Sequence, residues 1–476
     1  MPTGRHPGQI DTTAAETPAG HYDLAIVGSG GAAFGAAIRA ANLGARVALI
    51  ELGAVGGTCV NVGCVPSKTL LAGADAFHGA TSHPHAGLPT HAGPIDMQAF
   101  IAQKDELVSQ LRQAKYFDVA DAYGFEIIHG KARFIDPETL DVDGHALRAT
   151  SYLVATGAEP SVPDVAGLAE AGYLTSTTTM ELSEVPARVV TIGGGFVGME
   201  QSQLLSRLGA HVSIVGRLAP RAEPELAAWM ERVFADEGID VVPERVVAVE
   251  GEGAEKVVIT SAGTRLHADA ILVAVGRRPR VAALDLDAAG VKLDARGFIA
   301  VDEELRTSNP RIFAAGDVIG GPQYVYVAAA QGNLAAENAL SDARRRMDYT
   351  ALPSVIFTDP ALASAGMTEA EARSAGHDVV SSVLELENVP RALVNRDTRG
   401  AIKLVADANS GKVLGVHAMA QGAGELILAG VYAIKFGLTV DDLATTWAPY
   451  LTMSEALKLV AQSFKGDVKK LSCCAV

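Results

Sequence analysis

Cysteine is scarce in this chain. Only four occur among 476 residues, and they stand in two tight pairs, Cys59 with Cys64 and Cys473 with Cys474. That scarcity excludes a disulfide-stapled scaffold, because a chain of this length buries enough core to hold itself together. Pairs this close suit redox chemistry or the binding of a soft metal. Long apolar runs are also missing: none reaches the ~18 residues of a membrane span. Residues 1–20 mix Gly, Pro, His, Thr and Glu with no apolar h-region, so they read as a mobile extension rather than a secretory signal. Basic residues are outnumbered, 39 Lys and Arg against 55 Asp and Glu, for a net charge of −16. With no basic stripe, a nucleic-acid partner is not expected. These absences predict a cytoplasmic protein without membrane or nucleic-acid partners, in a reducing setting where close thiol pairs serve catalysis or metal binding.

What is plentiful is glycine, with 49 residues, and two clusters of it carry a pattern. Residues 22–31 read Tyr-Asp-Leu-Ala-Ile-Val-Gly-Ser-Gly-Gly, a short apolar strand running into a turn. An apolar helix is expected through Asn42, then a strand over 45–50 ending at Glu51. This is a βαβ unit with the fingerprint Gly28-x-Gly30-x-x-Ala33. Gly28 permits the tight turn, Gly30 lets a pyrophosphate approach the backbone, and small Ala33 lets helix and strand pack closely. Glu51 is placed to accept hydrogen bonds from a ribose with a free 2′-hydroxyl. The pattern recurs over 189–198, with Gly193, Gly195 and Gly198 in the key places, a helix expected over 199–208 and a strand over 211–215. Here the terminal acid is missing. Gly216-Arg217 closes the strand and Arg221 is near. A cation there suits a 2′-phosphate and favours NADP over NAD, the alternative being two solvated surface arginines. The sequence therefore predicts two different dinucleotides, one with a free ribose such as FAD at the first turn and NADPH at the second.

The segment Gly57-Thr58-Cys59-Val60-Asn61-Val62-Gly63-Cys64-Val65-Pro66-Ser67-Lys68 starts a few residues after the first βαβ strand. On a regular helix, residues five apart have Cα atoms ~8–9 Å apart, beyond the ~7 Å that a disulfide spans. If the pair bonds, Cys59 must lie in a loop or a distorted first turn, and Gly56, Gly57 and Gly63 supply that freedom. The alternative is two buried structural cysteines. A metal site made of this pair alone lacks further His or Cys ligands nearby. His83, His85 and His91 read as a surface loop.

This cysteine string resembles the redox-active disulfide motif of the FAD-dependent pyridine nucleotide–disulfide oxidoreductases, and the similarity runs from about residue 21 to near the end of the chain. Ala155-Thr156-Gly157 is similar to the family's strand-end turn between the two nucleotide domains, and the turn at Gly276, in Val273-Ala274-Val275-Gly276-Arg277, is its counterpart leaving the second. Ile312-Phe313-Ala314-Ala315-Gly316-Asp317 is similar to the second FAD motif, in which Asp317 binds the ribityl chain. Lys68 and Glu200 match an ion pair near the flavin, Thr58 falls within the flavin-side motif, and Phe196 takes the place of an aromatic gate over the nicotinamide. The region from about 350 resembles the family's dimerisation domain. The implied architecture is α/β: two Rossmann-like dinucleotide-binding domains plus an α+β C-terminal dimerisation domain. Its expected boundaries are an extension over 1–20, FAD-binding parts over 21–160 and 283–350, an NADPH-binding domain over 161–282, a dimerisation domain over 351–463 and a tail over 464–476. The resemblance also implies that electrons pass from NADPH through FAD to a Cys59–Cys64 disulfide, with Cys64 facing the flavin, Cys59 exchanging with substrate, and Lys68 helping to hold the reduced state.

One residue is absent where disulfide-reducing relatives have it. They close with His-Pro-Thr-x-Ser-Glu, the histidine serving as acid and base. Here the stretch is Tyr450-Leu451-Thr452-Met453-Ser454-Glu455. A phenol, with an ordinary pKa of about 10, is a poor proton shuttle at neutral pH. Trp447-Ala448-Pro449-Tyr450 and a terminal Cys-Cys instead resemble the mercury(II)-reducing members of the family. Hg(II) is soft and favours thiolates. Cys473 and Cys474 are then a vicinal dithiol for metal capture, with Lys465, Lys469 and Lys470 favouring thiolate. In the family this tail reaches the other subunit, which implies a homodimer with shared active sites, Hg(II) arriving as a thiol complex, and Tyr450 orienting the bound ion. Many relatives carry an N-terminal Cys-x-x-Cys domain; no cysteine precedes Cys59 here.

Overall fold

The computed structural model describes residues 21–253 and 255–466. Cys473, Cys474 and most of the expected tail, with the expected extension over 1–20, lie outside the described residues. The chain divides into two compact units, each assembled from three separated stretches. One takes 21–61, Gln110–Glu159 and Arg278–Met347. The other takes Val62–Ser109, Pro160–Arg277 and the described residues from Asp348 on.

In the first unit, strand Tyr22–Val27 is a nearly unbroken apolar run because both faces of a parallel sheet are covered. It pairs in parallel with Val47–Glu51 on one side and His145–Val154 on the other, Leu24 lying opposite Val47 and Ser151. Strand Glu126–His129 extends the sheet beyond Val47–Glu51. His145–Val154 changes character along its length. Its first half alternates exposed and buried residues and pairs antiparallel with Thr139–Val142; its last four residues are all buried, between Tyr22–Val27 and Ile312–Ala314. The period follows the number of covered faces. The expected helix through Asn42 is present as Gly31–Asn42, and its buried side is mostly alanine. That allows helix Val325–Leu340 to cross it closely: a Cβ on Gly332 would fall 1.9 Å from the Ala32 carbonyl oxygen.

In the second unit, four parallel strands run in the order Asp240–Val242, His211–Val215, Arg188–Ile192, Ala270–Val273. The helix expected from Met199 begins one turn earlier, as Phe196–Arg207, directly after Gly195. Its first residues, Phe-Val-Gly, carry too little periodicity to announce a helix. Helix Pro224–Asp236 has proline in its first turn, where no amide donor is missed. A five-stranded antiparallel sheet follows, ordered Pro353–Ile356, Ala361–Gly366, Val413–Ala420, Ala401–Asp407, Val379–Glu385. Helices Ala423–Lys435 and Glu455–Gln462 bury their apolar sides in its core, through Leu426, Ile427, Leu457 and Val460. No helix among the described residues is long and apolar enough to cross a membrane.

Candidate active site

The first glycine turn is built by backbone proximity. Gly28 has φ +112° and a Cβ there would lie 2.3 Å from the Ala155 carbonyl oxygen, so no larger residue fits. Ala33 is fully buried against the strand. Gly30 caps helix Gly31–Asn42 without a side-chain hydrogen bond, which leaves the first-turn N–H groups for an anion. Glu51 closes the adjacent strand as expected. Its Oε2 accepts from the Ser29 hydroxyl at 2.5 Å and its Oε1 from the Gly53 amide at 2.7 Å, which fixes the carboxylate while leaving lone pairs for ribose hydroxyls. Thr156 donates through Oγ1 to the Arg280 carbonyl at 2.7 Å, and Arg280 N–H returns a bond to Gly157 at 3.0 Å. Asp317 opens a 3₁₀ turn, Asp317–Ile319, and the Gly316 amide before it donates to Gln331 Oε1 at 2.8 Å.

The second turn repeats the device. Gly193 has φ +111° with its Cβ position 2.5 Å from the Ala274 carbonyl oxygen, and a Cβ on Gly198 would sit 1.9 Å from the Gly193 oxygen. Gly195 again caps a twelve-residue helix without a side-chain bond, and nothing lies within 4 Å of its Cβ position. Arg217 and Arg221 are exposed beyond the next strand, and Gly276 turns with φ +124°. Both cradles thus have the open glycine and uncapped helix start that a dinucleotide pyrophosphate requires.

The cysteines stand on two helices, not one. Cys59 lies in the short helix Gly57–Val62 and Cys64 opens the helix Cys64–Thr81; Gly63 between them is non-helical, with φ −132° and ψ −112°. The expected loop or distorted turn at Cys59 is therefore a separate six-residue helix, and the break falls at Gly63. Cys59 is half-buried, as is Thr58, and Cys64 is exposed. The cysteine helix starts packed against the first glycine turn: a Cβ on Gly57 would fall 2.5 Å from Gly30 Cα.

Lys68 and Glu200 are brought together as a salt bridge of 2.6 Å between helices Cys64–Thr81 and Phe196–Arg207. Glu200 Oε1 also accepts from the Phe357 amide at 2.9 Å, and Lys68 Nζ lies 4.6 Å from the centre of the Phe357 ring. Phe196 is half-buried at the start of its helix. Tyr450 is 49% exposed and Trp447 93% exposed, in the segment between helices Val440–Thr445 and Glu455–Gln462. Asn61, within the cysteine helix, and Arg112 and Tyr116, near it, complete the surroundings of Cys59. Asn61 donates to the Val55 and Gly57 carbonyls at 3.0 Å each. Arg112 reaches Asn61 Oδ1 at 3.4 Å. Tyr116 lies in a π-helical turn, Gln113–Phe117, edge-on to Phe34 at 4.7 Å and 3.5 Å from the Cβ position of Gly56. Asn61 was visible inside the cysteine motif; a π turn has no period to read. His83 and His85 lie in the loop before helix Met97–Arg112, as expected.

Residues 22–332 match the family model for pyridine nucleotide-disulphide oxidoreductases, and residues 352–461 match the dimerisation domain of the same family. A mercuric reductase of Streptomyces lividans is 52% identical over 95% of this chain and 98% of its own. Mercuric reductases of Staphylococcus aureus and Shigella flexneri are each 44% identical, over 99% and 98% of this chain and 88% and 85% of theirs. Among solved structures, the HOCl-induced flavoprotein disulfide reductase RclA from Escherichia coli aligns with a TM-score of 0.84 at 30% identity, over 93% of this chain and all of that one.

Proposed function

The chain belongs to the pyridine nucleotide-disulphide oxidoreductases, and from that premise we propose that it is a homodimeric mercury(II) reductase, using NADPH and FAD to reduce Hg(II) to elemental mercury. The observation that carries the reading is the seating of Gly57 on Gly30, which starts the cysteine helix against the first dinucleotide turn. When bound, FAD and NADPH supply a two-electron relay from the nicotinamide. The overall reaction consumes one NADPH per Hg(II), puts two electrons on the metal and releases one proton.

The residues divide the remaining work. Gly28, Gly30 and Ala33 shape the flavin-nucleotide cradle, Glu51 takes ribose hydroxyls, and Thr58, Thr156, Gly157 and Asp317 line the same cofactor. Gly193, Gly195, Phe196, Gly198 and Gly276 shape the NADPH site, with Arg217 and Arg221 as counter-charges to the 2′-phosphate. Lys68, fixed by Glu200, keeps a cation beside the redox centre. Cys473 and Cys474 of one subunit take Hg(II) from a thiol complex and pass it to Cys59 and Cys64 of the other; ligand exchange between thiolates suits a soft ion. Tyr450 orients the ion without competing for protons. In this reading the FAD-binding parts span 21–160 and 283–350, the NADPH-binding domain 161–282, the dimerisation domain 351–463 and the tail 464–476. The cytoplasm, which keeps such thiols reduced, is the compartment that suits it.

The test is NADPH oxidation by the purified flavoprotein in excess thiol, with and without HgCl₂. A mercury-dependent rate is expected. Its absence, or turnover of lipoamide in its place, overturns the reading. Cys473→Ala with Cys474→Ala is expected to lower turnover of thiol-complexed Hg(II) by roughly tenfold or more, the loss expected when ligands that capture the ion are removed.

A further inference from the structure

We infer that Asn61 is the residue that positions Cys59 for exchange and that Arg112 acts through it; the inference rests on the redox role proposed for Cys59 and Cys64. The cysteine helix Gly57–Val62 has six residues, too few to be stable alone. Glycine stands at 56, 57 and 63, which adds freedom at both ends. Asn61 removes it. Its Nδ2 donates to Val55 O and Gly57 O at 3.0 Å each, with Ala54 O at 3.4 Å. The bond to Gly57 closes a loop of chain with Cys59 inside it. The bond to Val55 ties the end of the helix to the chain that leads into it.

That leading chain is itself anchored. The Gly56 amide donates to Ser29 Oγ at 3.1 Å, and the Ser29 hydroxyl donates to Glu51. Gly57 packs on Gly30. Asn61 is therefore the tie between Cys59 and the glycine turn. Its amide has a single sensible orientation, because the nitrogen faces carbonyls and Oδ1 faces the Arg112 guanidinium. Aspartate at this position matches the shape but cannot donate to any of those carbonyls.

The consequence concerns the Cys59–Cys64 couple. Closing the disulfide forms one S–S bond while two thiols give up two electrons and two protons. How readily it closes depends on how narrowly each sulfur is presented to the other. A loosened cysteine turn presents Cys59 over a wider range and makes the disulfide easier to reduce.

The experiment equilibrates the flavin-loaded protein with dithiothreitol buffers and counts protein thiols. In the exchange, two dithiothreitol thiols are oxidised to its cyclic disulfide as Cys59–Cys64 is reduced. Asn61→Ala and Asn61→Asp are each expected to move the equilibrium toward the dithiol by about fivefold or more. Arg112→Ala moves it less, and adds nothing in the Asn61→Ala background. Flavin content reports folding, and if Asn61→Ala does not hold flavin then Asn61→Asp and Arg112→Ala carry the test. A wild-type equilibrium in the Asn61 variants overturns the proposal, and an additive Arg112 effect overturns its second part. The assay contains no mercury. A normal shift in a protein that shows no mercury-dependent NADPH oxidation would remove the substrate reading and leave the role of Asn61 standing.

Discussion

Lys68 and Glu200 meet with unequal exposure, 32% for the lysine side chain and 7% for the glutamate. The asymmetry decides what each substitution does. Removing the cation leaves a nearly buried carboxylate with the Phe357 amide as its remaining donor named above. Lys68→Met is expected to cost about 1–3 kcal/mol, the desolvation of an unmatched polar group, and Lys68→Met with Glu200→Gln to regain part of it. Chemical denaturation of the flavin-loaded protein reads both, and a Lys68→Met variant as stable as the wild type would mean that water screens the pair. At this scale the sequence was informative where spacing is local. Gly28, Gly30 and Gly193 could be read because a turn needs them within a few residues. Asn61 and Arg112 could not be read as partners, since 51 positions separate them and neither residue type announces the other.

Among the elements, the regular ones were legible and the interruptions were not. Strand His211–Val215 and the end of helix Gly31–Asn42 fall where the apolar pattern puts them. The cysteine spacing narrows the break to the glycines at 56, 57 and 63 without placing it, and the π turn over Gln113–Phe117 depends on packing that no period encodes. The same holds for Lys403, which sits in an apolar strand, Ala401–Asp407, and is only 2% exposed. Its Nζ meets Glu223 and Glu225, from the start of helix Pro224–Asp236, at 2.9 Å each, and Glu369 at 3.0 Å. Buried His417 stands 3.8 Å from Glu223, and burial pushes its imidazole below the ordinary value. Hydrogen bonds from Arg373, Ser381 and Lys403 pull the Glu369 carboxyl down to about 2. Because the folded state holds the carboxylate more tightly than the unfolded chain does, Glu369 contributes stability that is fully present above its ordinary value of 4.5 and fades as pH falls toward about 2. Melting temperatures measured between pH 7 and pH 3 should therefore show wild type above Glu369→Gln near neutrality, with the gap narrowing in acid. A gap independent of pH would show that the carboxylate charge is not what ties these elements together.

On the scale of the molecule, the two nucleotide turns and the dimerisation region were legible because each is a contiguous motif. Each compact unit collects three stretches separated by long insertions, and the grouping of 62–109 with the later stretches has no contiguous motif to announce it. The proposed passage of Hg(II) between subunits makes a prediction that belongs only to the whole assembly. A homodimer with shared sites has two of them, each taking Cys59 and Cys64 from one subunit and Cys473 and Cys474 from the other. Take one preparation with Cys59→Ala and a second with Cys473→Ala and Cys474→Ala. Each alone turns over thiol-complexed Hg(II) poorly, because every site lacks one thiol pair or part of one. In a mixed dimer, one site inherits both defects and the other inherits none. Co-expression in equal amounts gives half mixed dimers, so activity should return to roughly a quarter of the wild-type value per flavin. If the tail served its own subunit's cysteines, every site in the mixture would remain defective and no activity would return. Separate tags on the two chains allow the mixed dimer to be isolated, and there the expected recovery rises to about half.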